Sequence, residues 1–194
     1  QRPLPKPAPR DRMRVGFVSC HLRRHTITKL MSGFILGLDR DRFEVCAFHA
    51  DDREDAVTAE LRSRVDRFES GERDPGAWAR LLHGAGLDAL VYLDIGMDPT
   101  MQVLASLRFA ALQCALWGHP VTGGFEHIDW FLSVASMETK DGPAHYHERL
   151  ALLPGIGTCY QPPARAPDRN FVAPARQEPG TVHYLFAQSS YKIR

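Results

Sequence analysis

The sequence has almost no net charge and no long hydrophobic segment. Its 24 lysine and arginine residues nearly balance 23 aspartate and glutamate residues, so the net charge is +1 at pH 7. A charge this small produces no broad electrostatic field, and we expect neither nucleic acid nor a membrane as a partner. No apolar run approaches the roughly 20 residues that cross a bilayer. Residues 1–12 also lack the apolar core of a signal peptide.

Cysteine is scarce as well. The four cysteines are far apart, and no two of them form a Cys-x-x-Cys pair: Cys20, Cys46, Cys114 and Cys159. This spacing argues against a zinc site and against a disulfide framework. Three of the four lie in or beside predicted strands, where a free thiol acts as a small core residue. We therefore expect a reducing, cytoplasmic setting and no metal ion.

The Gly-x-Gly-x-x-Gly fingerprint of dinucleotide-binding proteins is missing after the first predicted strand. The loop in that position, residues 20–25, contains His21, Arg23, Arg24 and His25. Imidazole and guanidinium groups at the end of a strand suit an anionic or hydroxyl-rich ligand, and His25 is the candidate functional residue. An exposed basic loop without a function would have the same composition.

Hydrophobic periodicity predicts an alternation of strands and helices. The strands are expected at residues 14–19, 43–49, 88–94, 111–117, 128–134 and 150–153, and the helices at 26–38, 55–65, 75–85 and 99–107. Spacing of this kind is typical of βαβ units, so we predict a Rossmann-like, doubly wound and mostly parallel α/β sheet.

The two ends of the chain differ from this middle part. Residues 1–12 contain four prolines and read as a stiff linker, which suggests that a further segment precedes it. Residues 154–180 contain six prolines and read as an irregular connection, and residues 181–187 read as a new strand. We therefore expect one complete lobe at residues 13–153, followed at 181–194 by the start of a second, truncated lobe.

The segment from Gln113 to Gly124 is the most informative part of the sequence. A β-prone apolar run ends there at a turn rich in glycine and polar groups: Trp117, Gly118, His119, Pro120 and Thr122. Gly and Pro permit a tight turn that presents backbone N–H groups and side chains. In an open α/β sheet such a turn lies where ligands bind, at the carboxyl ends of the strands.

Three other residues have two interpretations each. Asp94, at the end of a predicted strand, would bind a sugar hydroxyl or cap the helix that begins near Pro99. His83 would be favoured at a helix C-terminus by the helix dipole alone. Lys192 would neutralise a phosphate, or would simply be solvated. His145 and His147 are expected to be surface or packing residues and not metal ligands.

Several segments, in this order, resemble the catalytic region of the O-GlcNAc transferase family. They are RVGFVS at 14–19 with His25 after it, DALVYLD at 88–94, WGHPVTG at 117–123, IDWFL at 128–132, YHERL at 146–150 and YKI at 191–193. The resemblance implies a strand at 128–132 and a helix at 146–150. The Gly118-His119-Pro120 turn also resembles the related cytoplasmic N-glycosyltransferases.

This resemblance implies the N-terminal lobe of a two-lobed, GT-B-type glycosyltransferase. Such enzymes use a UDP-sugar and invert the anomeric centre without a metal ion, and tetratricopeptide repeats are expected upstream. The implied catalytic residues are His25, which faces sugar and acceptor, and Lys192, which stabilises the departing diphosphate. The candidate substrate-binding residues are Trp117, Gly118, His119, Pro120, Thr122, Asp94 and His83.

Two positions depart from the family pattern. The aspartate proposed to relay the acceptor proton falls near Arg80, and the glutamine that recognises uracil falls near Ser189 or is displaced to Gln188. The expected function is transfer of a sugar, N-acetylglucosamine, to Ser or Thr of a protein. Transfer of glucose to Asn and a non-catalytic scaffold lobe are the alternatives. Residues 1–194 alone are expected to be inactive.

Overall fold

The computed structural model describes residues 10–159, which contain seven parallel strands and the helices between them. The strands are β1 (Met13–Ser19), β2 (Phe43–His49), β3 (Arg67–Ser70), β4 (Leu87–Tyr92), β5 (Ala110–Leu116), β6 (Trp130–Val134) and β7 (Arg149–Leu153). The helices are α1 (Thr26–Leu36), α2 (Ala56–Arg64), α3 (Pro75–Gly84) and α4 (Pro99–Ala105), with 3₁₀ turns at Ile95–Met97 and Gly142–His145.

The strand order is β3-β2-β1-β4-β5-β6-β7, and each neighbouring pair is parallel. This arrangement confirms the predicted doubly wound α/β fold. Each predicted strand and helix of the described residues is present within two residues of its expected ends, apart from the segment at 146–150. Among the described residues, no helix combines the length and the apolar character that a membrane span requires.

The core forms two layers, one on each face of the sheet. Along β1, Val15 and Phe17 pack into one layer and Val18 into the other, because successive side chains of a strand point to opposite faces. The first layer includes Met31 of α1, and the second includes Trp78 of α3. Burial of both faces explains the continuous apolar sequence of the central strands. Cys20, Cys46 and Cys114 are buried free thiols, as predicted.

Two features of the described residues correct the sequence interpretation. The edge strand β3 was not predicted, because its sequence, Arg-Phe-Glu-Ser, lacks an apolar run and its residues are only half-buried. The helix implied at residues 146–150 is absent. A 3₁₀ turn ends at His145, the backbone of Tyr146 is extended (φ −115°, ψ 140°), and β7 begins at Arg149.

Charged contacts bind residues 10–14 to the edge of the sheet where the strands begin. Arg10 Nη2 donates to the carbonyl oxygen of Gly86 at 2.9 Å, and Arg14 Nη1 donates to that of Ala85 at 2.7 Å. The Asp88 carboxylate accepts from the backbone N–H of Arg14 at 2.7 Å. The end of the segment assigned to a linker by composition is therefore attached to the lobe. The linker residues 1–9 and the strand predicted at 181–187 lie outside the described residues.

Candidate functional site

Three loops meet at the carboxyl edge of the sheet. They follow β1 (residues 20–25), β4 (residues 93–98) and β5 (residues 117–124). β1 and β4 are adjacent, but α1 packs on one face of the sheet and α4 on the other. The connections therefore diverge between β1 and β4, and such a switch point is where doubly wound sheets bind ligands.

A buried carboxylate lies at this switch point. Asp94 has no exposed surface, and its Oδ2 accepts a hydrogen bond from Ser19 Oγ at 2.9 Å. His21 Nε2 is 3.7 Å from the same oxygen. Burial raises the pKa of Asp94 to about 7 and lowers the pKa of His21 to about 4. His21 is therefore neutral at pH 7, beside an acid that titrates near neutrality.

Of the two interpretations of Asp94, the helix cap is wrong. Asp98 caps α4, since its Oδ1 accepts from the backbone N–H of Thr100 at 2.7 Å. Contact of Asp94 with a sugar hydroxyl stays a prediction. Its Oδ1, like His21 Nδ1, is buried and has no hydrogen-bond partner among the described residues.

His25 begins α1 and is also part of a stack of imidazoles. Its Nδ1 accepts a hydrogen bond from the backbone N–H of Ile27 at 3.2 Å, and its ring stacks on that of His21 with centroids 4.1 Å apart. Burial, and then the charge of Arg23, lower the pKa of His25. A neutral imidazole carries one hydrogen, so acceptance at Nδ1 leaves an N–H donor at Nε2. This geometry therefore leaves the Nε2–H of His25 available as a hydrogen-bond donor.

A basic groove opens beside His25. It has a volume of about 570 Å³, and its lining includes Arg23, Arg24 and Lys29. Arg23 is 3.8 Å from Asp51, which partly offsets its charge. The groove therefore presents positive charge beside His25, which suits an anionic or hydroxyl-rich ligand.

Two close approaches lock the turn after β5 onto the loop after β4. A Cβ added at Gly118 would lie 2.0 Å from the carbonyl oxygen of Leu93 and 2.8 Å from Ile27 Cδ1. A Cβ added at Gly96 would lie 2.4 Å from the ring of His119. Only glycine fits at these two positions, so the turn lies directly against the ends of β4 and α1. The structure thus brings the turn and the His25 loop to the same edge.

The turn is also held from its other side. Thr122 Oγ1 donates to Glu148 Oε2 at 2.6 Å, and the backbone N–H of Gly123 donates to Glu148 Oε1 at 2.9 Å. Earlier in the turn, Trp117 Nε1 donates to the carbonyl oxygen of Gly157 at 2.9 Å. Pro120 is exposed. Glu148 was missed as a site residue, because no motif links it to a turn 24 residues earlier.

A cavity of about 250 Å³ lies beneath this turn. Its walls include His119, Thr122 and Gly123 from the turn, Gly96 from the neighbouring loop and Gln102 from α4. The cavity is large enough for part of a small ligand, and its lining combines apolar side chains with a few polar groups, as in ligand sites generally.

Among the described residues, one predicted site residue is not part of this assembly. His83 is in the last turn of α3, which leads into the start of β4, so it lies at the opposite edge of the sheet from His25. Its position near a helix C-terminus agrees with the helix-dipole interpretation. Lys192 lies outside the described residues, as do Gln188 and Ser189. Arg80 is an exposed residue of α3. His145 is exposed and lies 3.2 Å from Asp141.

The sheet and its three loops define a Rossmann-like lobe with a candidate ligand site at the switch point. Within that class, the chain belongs to glycosyl transferase family 41, whose family model matches residues 3–158. The chain is similar to a mutant of the Thermobaculum terrenum O-GlcNAc transferase, with 27% sequence identity and a TM-score of 0.72. This confirms the predicted relationship to the O-GlcNAc transferase family and the fold of a GT-B lobe.

The similarity covers 84% of this chain and 32% of the Thermobaculum protein. The chain therefore spans about a third of the length of the transferase that it matches.

Proposed function

We propose that this lobe is part of an inverting glycosyltransferase that transfers N-acetylglucosamine from UDP-GlcNAc to serine or threonine of a protein. The observation that carries the proposal is the convergence of the His25 loop and the Gly118–Thr122 turn at one switch point. Membership in a glycosyltransferase family supports the reaction type. The proposal includes tetratricopeptide repeats upstream, taken from the family resemblance, and a cytoplasmic location, taken from the scattered free cysteines.

In an inverting transfer, the acceptor oxygen attacks the anomeric carbon as the bond to the diphosphate oxygen breaks. Negative charge then develops on the UDP that departs, and the acceptor hydroxyl loses a proton. In the proposed mechanism Lys192 stabilises the diphosphate, so the reaction needs no metal ion.

His25 has a different role in this mechanism. Because its Nδ1 accepts from the backbone of Ile27, its Nε2–H is available to orient a sugar or acceptor oxygen. We assign no general base.

Intact-protein mass spectrometry of the full-length protein tests this proposal. The protein is incubated with UDP-GlcNAc or UDP-glucose and with protein acceptors, in the presence and absence of EDTA. We expect a GlcNAc mass increment on Ser or Thr that EDTA does not reduce. Lys192→Met is expected to abolish it, because the developing charge is then unopposed.

Other results would favour the alternatives. Glucose on Asn would favour the N-glycosyltransferase that the Gly118-His119-Pro120 turn resembles. Incorporation of neither sugar, together with no shift of the melting temperature in millimolar UDP, would favour a scaffold, since a competent donor site is stabilised by its ligand.

A further inference from the structure

The hydroxyl of Thr122 has no capacity left to bind a ligand. Its single hydrogen is donated to Glu148 Oε2 at 2.6 Å. Thr122 Oγ1 also accepts from the backbone N–H of His147 at 3.1 Å and from that of Gly124 at 3.3 Å. A hydroxyl provides one donor and two acceptor lone pairs, so all three are engaged inside the protein, the second lone pair by the Gly124 N–H that Glu148 Oε1 shares.

Glu148 is the centre of these contacts. Only 4% of its surface is exposed. Its Oε1 accepts from the backbone N–H groups of Gly123 and Gly124, at 2.9 and 3.2 Å, while its Oε2 accepts from Thr122. Within residues 10–159 no cationic side chain lies within ion-pair distance of Glu148. The N–H and O–H donors of the turn therefore compensate its buried charge.

The rest of the fold holds Glu148 in place. It directly precedes β7, which pairs with β6 from Arg149 to Leu153. Thr122 and Gly123, which Glu148 binds, are walls of the 250 Å³ cavity. Glu148 thus connects the start of β7 to two residues that form the wall of the cavity.

We propose that Glu148 and Thr122 are positioning residues, which together form a clamp that shapes the turn to receive the donor sugar. The sugar is then bound by other groups of the turn and not by the Thr122 hydroxyl. This inference rests on the proposed function for the identity of the ligand. The clamp itself rests only on the hydrogen bonds above.

Hydrogen exchange tests the clamp without any reference to activity. In the full-length protein, the backbone amides of Gly123 and Gly124, which donate to Glu148, should exchange slowly. They should exchange at least about tenfold faster in Glu148→Ala, because the buried acceptor is lost. Glu138→Gln is a matched control, since Glu138 accepts from Tyr146 Oη at 2.8 Å but has no contact with the turn. Equal exchange in Glu148→Ala and the wild type would disprove the clamp.

Kinetics with the UDP-sugar test whether the clamp positions the turn for the donor. We expect Glu148→Ala and Thr122→Val each to lower kcat/KM for the UDP-sugar about tenfold or more. Affinity for UDP should stay within about twofold of the wild type. Thr122→Ser, which keeps the hydroxyl that Thr122→Val lacks, should retain most of the wild-type activity. The double variant should be no worse than the poorer single variant, because both substitutions break the same unit.

Two results would overturn the positioning role. If Thr122 bound the sugar directly, Glu148→Ala would free its hydroxyl and leave donor kinetics unchanged. If Glu148 and Thr122 had independent roles, the losses of kcat/KM in the two single variants would add in the double variant. Failure of the proposed function has a different signature, in which the wild type transfers no sugar while the exchange result still decides whether the clamp exists.

Discussion

Replacement of Gly118 by alanine tests the close contact between the turn and the end of β4. The new methyl carbon would lie 2.0 Å from the carbonyl oxygen of Leu93 and 2.8 Å from Ile27 Cδ1. The leucine backbone cannot easily give way, since its N–H donates to the carbonyl oxygen of Val18 at 3.2 Å. The turn itself must therefore move away from β4.

The size of the effect follows from the nature of the obstacle. Excess volume in a packed core costs about 1–3 kcal/mol, and a backbone neighbour places this variant near the upper value. For a domain of about 150 residues, each kcal/mol lowers the melting temperature by about 2–4 °C. We therefore expect Gly118→Ala to lower Tm by about 6–12 °C. Sugar transfer should also decrease, because the turn would be displaced from the end of β4 and from Ile27 at the start of α1.

Thermal melting followed by circular dichroism measures this change. Gly84→Ala is the matched control, because Gly84 lies in the last turn of α3 and a Cβ there would meet no atom within 4 Å. It should leave Tm unchanged or raise it slightly, since alanine favours a helix. A Gly118→Ala protein that melts with the wild type would refute the assigned contact between the turn and β4.

Two further predictions concern His25 and Asp94. His25→Asn can still cap α1, so this variant should retain the wild-type Tm but lower kcat more than it weakens UDP binding. His25→Ala should in addition lose about 1 kcal/mol of stability, because the cap is removed. An unchanged kcat in both variants would remove His25 from the site. Burial raises the pKa of Asp94 from its unfolded value of about 4 to about 7. Between these two values the folded state binds the proton and the unfolded state does not. The contribution of Asp94 to the free energy of unfolding therefore declines as the pH rises through that range. Urea midpoints should therefore fall more steeply with pH in the wild type than in Asp94→Asn, and parallel curves would contradict the shift.

The sequence predicts most of the fold because burial on both faces forces apolar runs into the central strands. β1 and β4 show this, with Val18 and Leu90 in one core layer and Phe17 and Val91 in the other. The edge strand β3 lacks that constraint, and its alternating charged residues resemble a loop. Secondary structure was therefore predictable where the core imposes it and not where solvent permits many sequences.

The candidate site was predictable only in part. Its loops follow from topology, since the ends of parallel strands meet at one edge, and this places His25 near the 117–124 turn. Contacts that depend on the register of distant strands cannot be predicted in this way. Glu148 reaches Thr122 because β7 pairs next to β6, and no local spacing encodes that contact. His21 likewise joins His25 by stacking within an irregular loop.

The attachment of Arg10 and Arg14 at the start of β1 separates the entry of the chain from the site. β1 contains seven residues. At about 3.3 Å for each residue, its two ends are about 20 Å apart. The described part of the chain thus enters the lobe at the edge of the sheet opposite the candidate site.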